Sequence, residues 1–172
     1  MVPEGDGVDE VDEVDRIVAA WRRERPDLDV APLQVLSRIS RLARHLDLAR
    51  RRAFAERGLE AWEFDVLSAL RRAGEPYQLT PTALVRQTLV TSGTMTNRIS
   101  RLVERGLVAR SSSPTDARSV QVRLTGTGRD VVDAAMAELV AGERQILASL
   151  DPGEQARLAG LLKTLLEPFD EA

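Results

Sequence analysis

LTPTALVRQTLVTSGTMTNRISRLVERGLVARSSSPTDARSVQVRL, residues 79–124, is the stretch whose reading decides the fold. Thr80 followed by Pro81 is a helix start, a capping hydroxyl and then a first-turn proline, and it opens a short helix to about Gln87. A second helix begins near Thr91 or Ser92. Its apolar residues Met95, Ile99, Leu102 and Val103 fall at i, i+4, i+7 and i+8, the stripe of a half-buried helix. The other face carries Ser92, Thr94, Asn97, Ser100 and Arg101, a row of hydrogen-bonding groups. Val108–Ser112 and Val120–Leu124 alternate as strands, and Ser-Pro-Thr-Asp-Ala between them is turn chemistry. Helix, turn, helix and hairpin in that order predict a winged helix-turn-helix, and a slim polar helix face suits a DNA major groove.

Outward from this module the chain reads as helical. Residues 1–13 are acidic and almost free of large apolar groups, the composition of a disordered tail. A short helix is expected from Val14 to Arg25, ended by Pro26. Pro32 suits the first turn of a longer helix that carries Leu33, Leu36, Ile39, Leu42, Ala43, Leu46 and Ala53 and stops at Gly58. A third runs from Leu59 to Ala73, with Trp62, Val66, Leu67 and Leu70 inward and Gly74 as its stop. Beyond the hairpin, Thr125-Gly126 begins a long helix to about Leu150, and Asp151-Pro152 opens a last one to Leu166, ended by Pro168. The expected fold class is mainly α: a winged helix-turn-helix module with N- and C-terminal dimerisation helices. The division is an acidic tail (1–13), an extra helix and first dimerisation helix (14–57), the winged module (58–125) and the C-terminal helices (126–172). The terminal helices carry more apolar surface than one small module needs. Burial against a second copy is the economical use of it, and a two-fold pair sets two reading helices roughly 34 Å apart, one DNA turn.

Net charge is −3, yet the charge is not evenly spread. Residues 1–15 hold seven acids and no base, whereas residues 86–123 hold seven arginines against Glu104 and Asp116. Attraction to phosphate follows the local patch, so an acidic total does not exclude a nucleic-acid partner. Arg101 and Arg105, one turn apart, suit phosphate. No apolar run is long enough for a membrane span, and an acidic head is unlike a signal peptide. The chain has no cysteine, which excludes a disulfide framework and thiol redox sensing and fits a cytoplasmic address. One histidine, His45, excludes an ordinary zinc site; it is expected solvated or at the dimer seam. There is no nucleophile–base pair, phosphate loop or isolated carboxylate pair, so neither an enzyme nor a cofactor is expected.

Ser92-Gly93-Thr94, the run Arg101-Leu102-Val103-Glu104-Arg105-Gly106-Leu107-Val108, Asp116-Ala117-Arg118 and Leu124-Thr125 with Gly128 together resemble the MarR family of bacterial transcription regulators. The resemblance covers about residues 33–167 and implies a homodimer on a palindromic operator in double-stranded DNA. It implies a recognition helix in each major groove, with Ser92, Thr94, Asn97, Arg101 and Arg105 on the DNA, and wing residue Arg118 in the minor groove, oriented by Asp116. A narrower resemblance is to the urate-responsive branch, which carries an extra N-terminal helix and senses urate or carboxylates such as aconitate and citrate. Its ligand set implies a site of Trp21, Asp65, Arg98 and Arg110 here, with Asp65 holding Arg98 when no anion is bound. The simpler readings are an Asp65–Arg98 salt bridge with Arg110 on phosphate, and core packing for Trp21 and Trp62. The expected function is a ligand-responsive repressor released by a small anionic metabolite. The alternatives are a regulator with a phenolic effector between the dimer helices, and a helical scaffold that binds protein.

Overall fold

A computed structural model describes residues 11–112 and 120–170. The helices are α1 (Glu13–Glu24), α2 (Pro32–Glu56), α3 (Ala61–Arg72), α4 (Pro81–Thr88), α5 (Ser92–Glu104), α6 (Gly126–Ile146) and α7 (Pro152–Asp170). Three strands, β1 (Gln78–Leu79), β2 (Val108–Ser112) and β3 (Val120–Leu124), form an antiparallel sheet in the order β1-β3-β2. The expected mainly helical winged module is therefore present, and β1 is an addition. Two residues are too short to show alternation, so β1 is defined only by pairing Gln78 with Arg123 and Leu79 with Val122. The expected wing turn, with Asp116 and Arg118, lies outside the described residues, as does most of the acidic tail.

The chain divides into two compact units between Leu48 and Ala49, within α2. In the N-terminal unit, Asp12 caps α1 by accepting from the Asp15 amide at 2.9 Å, while Asp15 accepts from the Asp12 amide at 3.1 Å. Val14 and Val18, one turn apart, are buried against Val30 and Leu33. Arg38 bonds both capping carboxylates at 2.9 Å. Trp21 is not core: it is 48% exposed. The buried stripe of so short a helix is filled by the two valines, which leaves the indole off to one side.

The second unit packs α3 as its centre. Val66, Leu67, Ala69 and Leu70 are fully buried with Leu84 of α4, Met95, Ile99 and Leu102 of α5, Val122 of β3 and Ala135 of α6. Val103, expected on the α5 stripe, is instead exposed, because the core takes one residue per turn there. Thr80 caps α4, Thr91 caps α5 and Thr125 caps α6, each through a hydroxyl accepting an amide hydrogen three residues on. Helix α6 ends four residues early and passes through a 3-10 turn, Leu147–Ser149. Helix α7 runs through Pro168 to Asp170 rather than stopping before it, since a proline in the last turn forfeits only one hydrogen bond. No helix among the described residues is long and apolar enough to cross a membrane.

Candidate nucleic-acid interface and effector site

The reading face is built by the Thr91 cap and the α5 stripe. With Met95, Ile99 and Leu102 anchored in the core, Ser92, Thr94, Asn97, Arg101 and Arg105 are left exposed. Thr94 is drawn into the cap, its amide donating to Thr91 Oγ1 at 3.3 Å and the two hydroxyls sharing a 2.9 Å bond. Ser100, expected on the free face, is already engaged. It donates to the Thr96 carbonyl at 3.1 Å and accepts from Arg110 at 2.9 Å. Arg110 also reaches the Thr96 carbonyl at 3.4 Å, so this wing arginine ties β2 to α5.

The two arginines expected on phosphate hold internal partners. Arg105 pairs with Glu63 and donates to the Gly58 carbonyl at 2.8 Å. Glu63 is fully buried, and it also accepts from the Glu60 amide at 2.9 Å. Arg101 bonds Glu60 at 2.8 Å, and its guanidinium lies 4.8 Å from the centre of the Trp62 ring. Arg98 sits over the same ring at 5.4 Å. The Trp62 indole N–H donates to Glu60 at 2.7 Å. That bond, and then Arg101, hold the Glu60 carboxyl below its ordinary 4.5. Trp62 is therefore only half core: it is partly buried against the apolar cluster, and its ring also carries two cations.

Glu60 and Glu63 were not expected at the site. A signal for Glu63 does exist in the chain, since it shares the i, i+3, i+4, i+7 stripe with Val66, Leu67 and Leu70. A carboxylate on a buried stripe demands a cation. Which cation answers it is not written in any periodicity.

The expected effector residues are distributed. Asp65 lines a hollow of about 300 Å³ with Arg50, Phe64, Ser68, Arg72, Gln87, Thr88 and Leu89. Desolvation there raises its carboxyl above the ordinary 3.8, against the opposing pull of Arg98, Arg50 and Arg72. Arg98 is thus within electrostatic reach of Asp65, but it lines a different hollow of about 560 Å³, with Glu60, Trp62, Gly93, Thr94, Asn97 and Arg101. No Asp65–Arg98 ion pair forms among the described contacts. Trp21 belongs to the N-terminal unit, where it lines an apolar hollow with Ile17, Ala20 and Glu24. His45 is exposed on α2.

A model of the MarR family matches residues 57–119. The chain is 39% identical over 150 residues to the HTH-type transcriptional regulator PecS of Dickeya dadantii, covering 87% of this chain and 90% of that one. Among solved structures, apo MarR of Escherichia coli aligns with a TM-score of 0.58 at 29% identity, covering 74% of this chain and 95% of that one. The BpsR regulator of Bordetella bronchiseptica, whose DNA binding is regulated by 6-hydroxynicotinic acid, aligns with a TM-score of 0.57 at 28% identity, covering 74% and 98%.

Proposed function

The chain belongs to the MarR family of DNA-binding transcriptional regulators, not enzymes, whose members act as dimers, and from that premise we propose a homodimeric repressor released from a palindromic operator by a small anionic metabolite. The observation that carries the reading is the exposed α5 edge of Ser92, Thr94 and Asn97, continued by arginines and backed by a strand hairpin. Short hydroxyl and amide groups meet base edges, and the arginines meet phosphate. Asp116 and Arg118 are assigned the minor-groove contact of the wing. The place of action is the cytoplasm, with the chromosome.

For the effector we propose urate or a di- or tricarboxylate such as aconitate or citrate, recognised through Trp21, Asp65, Arg98 and Arg110. Two guanidiniums suit a carboxylate or a flat anionic heterocycle. Support comes from the charge distribution: a desolvated Asp65 carboxyl surrounded by Arg98, Arg50 and Arg72 is a place where an incoming anion rearranges ion pairs. Arg98 sits on the reading helix and Arg110 bonds it, so recruiting either side chain moves α5. A ligand acts only through its differential affinity for the two states, and about 1–3 kcal/mol of coupling gives roughly 5–150-fold relief of DNA binding. BpsR favours a second reading, an aromatic acid as effector.

The test is operator binding of the wild type, Arg98→Ala and Asp65→Ala, each with and without urate, aconitate, citrate and 6-hydroxynicotinate. Loss of ligand relief in both variants is expected. An unchanged ligand response in both removes the pocket while leaving the DNA-binding reading standing.

A further inference from the structure

We propose that Glu60 and Trp62, at the start of α3, control the reading helix: the indole ring holds Arg98 and Arg101 in place, and the Glu60 carboxylate occupies the Arg101 donor that a DNA phosphate takes. This rests on the DNA-binding reading and adds how the charge on that surface is arranged.

The geometry is specific. Arg101 follows Thr94 and Asn97 at i+7 and i+4, on the same exposed stripe of α5. Its guanidinium and that of Arg98 both lie within cation–π range of one indole, at 4.8 and 5.4 Å. Two cations crowded on one ring repel each other, and a single carboxylate offsets this. Glu60 uses one oxygen for Arg101 at 2.8 Å and the other for the indole N–H at 2.7 Å. The carboxylate therefore fixes both the ring and the cation resting on it. The hollow beside this cluster, about 560 Å³, is bordered by Gly93, Thr94 and Asn97, residues of the reading face itself.

A phosphate and a carboxylate ask the same thing of a guanidinium, two oxygens aligned with two N–H groups. Once α5 enters a groove, Glu60 stands beside the DNA backbone as a like charge. The phosphate displaces it from Arg101, and part of the binding free energy is spent on that exchange. In Glu60→Gln the amide oxygen still accepts the indole hydrogen bond, but the competing charge is gone.

The experiment measures anisotropy of a labelled duplex, taken from the region upstream of the chain's own gene, against the dimer of the 172-residue chain between about 50 and 200 mM salt. Glu60→Gln is expected to bind about 3- to 10-fold tighter at the low end, the gap narrowing toward the high end as salt screens the repulsion between Glu60 and phosphate. Trp62→Leu is expected to lose about fivefold. Equal or weaker binding by Glu60→Gln at the low end overturns the proposal, as does wild-type affinity in Trp62→Leu. If Trp62→Leu lacks a cooperative melt, the Glu60→Gln result decides. A wild-type chain that binds no duplex overturns the DNA-binding reading itself, whereas a wild type that binds beside an unaltered Glu60→Gln removes only this inference.

Discussion

Arg105 lies in a stretch that reads as a basic patch, and in the fold it answers Glu63, which is fully buried and keeps Oε1 without a partner among the described residues. Removing the arginine strands a charge in the interior, so Arg105→Ala is expected to cost roughly 3 kcal/mol of stability. Replacing both, as Glu63→Met with Arg105→Met, removes the ionic requirement and is expected to recover most of that loss. Urea denaturation of the single and double variants checks this. A single variant as stable as wild type shows the pair to be dispensable. Asp65 behaves in the opposite sense. Its carboxyl is raised above 3.8 in the fold, so between that value and its folded pKa the native state holds the extra proton and stability falls as pH rises. Asp65→Asn is therefore expected to melt at or above the wild-type temperature at neutral pH, with the gap closing as pH drops below about 4. A variant that melts lower than wild type at pH 7 and equal to it at pH 4 contradicts that sign.

At the scale of elements, the joint between α6 and the α5–β2 turn is the most constrained. Thr125 Oγ1 accepts from the Gly128 amide at 3.0 Å, and lies 2.8 and 3.0 Å from the Gly106 and Leu107 carbonyls to which its hydroxyl donates. A Cβ on Gly128 would lie 2.0 Å from the Leu107 carbonyl oxygen, a backbone atom that cannot step aside. Gly128→Ala is expected to cost about 1–3 kcal/mol and to weaken DNA binding beyond its effect on melting, because the turn it pushes on sets the end of α5. Circular-dichroism melts beside binding curves test it; an unchanged melt shows that the joint relaxes freely. Boundaries marked by caps and glycine breakers were legible, because these are local chemistry: Thr80-Pro81, Thr91, Gly58 at φ +64 and Gly74 at φ +75 each mark an end, whereas α6 and α7 end away from the positions read for them. What was not legible was the far side of each helix. Val103 and Trp21 follow helical spacing yet stay exposed, since a spacing rule does not say how wide the covered stripe is.

Across the whole molecule, much apolar surface is exposed among the described residues. The N-terminal unit leaves Val35, Leu36, Leu42 and Leu48 exposed on α2, and the second unit leaves Leu161, Leu165, Leu166 and Phe169 exposed on α7. Family members act as dimers, and we propose that such an assembly buries these surfaces. Light scattering after gel filtration is expected to give twice the chain mass, and Leu161→Glu with Leu165→Glu is expected to give a monomer. Loss of the second reading head removes a two-site advantage, so operator affinity is expected to fall by roughly 100-fold. A monomeric wild type refutes the paired geometry, as does full affinity in the monomeric variant.

Amino-acid order alone was enough to determine the winged module, the caps that frame its helices, the polar edge of α5 and the placement of basic charge, because all of these depend on neighbours within a turn or two. Only the tertiary structure decided that Arg105 belongs to Glu63, that Arg101 and Arg98 both lie against the Trp62 ring, that Arg110 reaches back to α5 and that β1 joins the sheet. Each of these joins residues from separate elements. A charge has many candidate partners along a chain, and the one it meets is chosen by how the apolar faces pack.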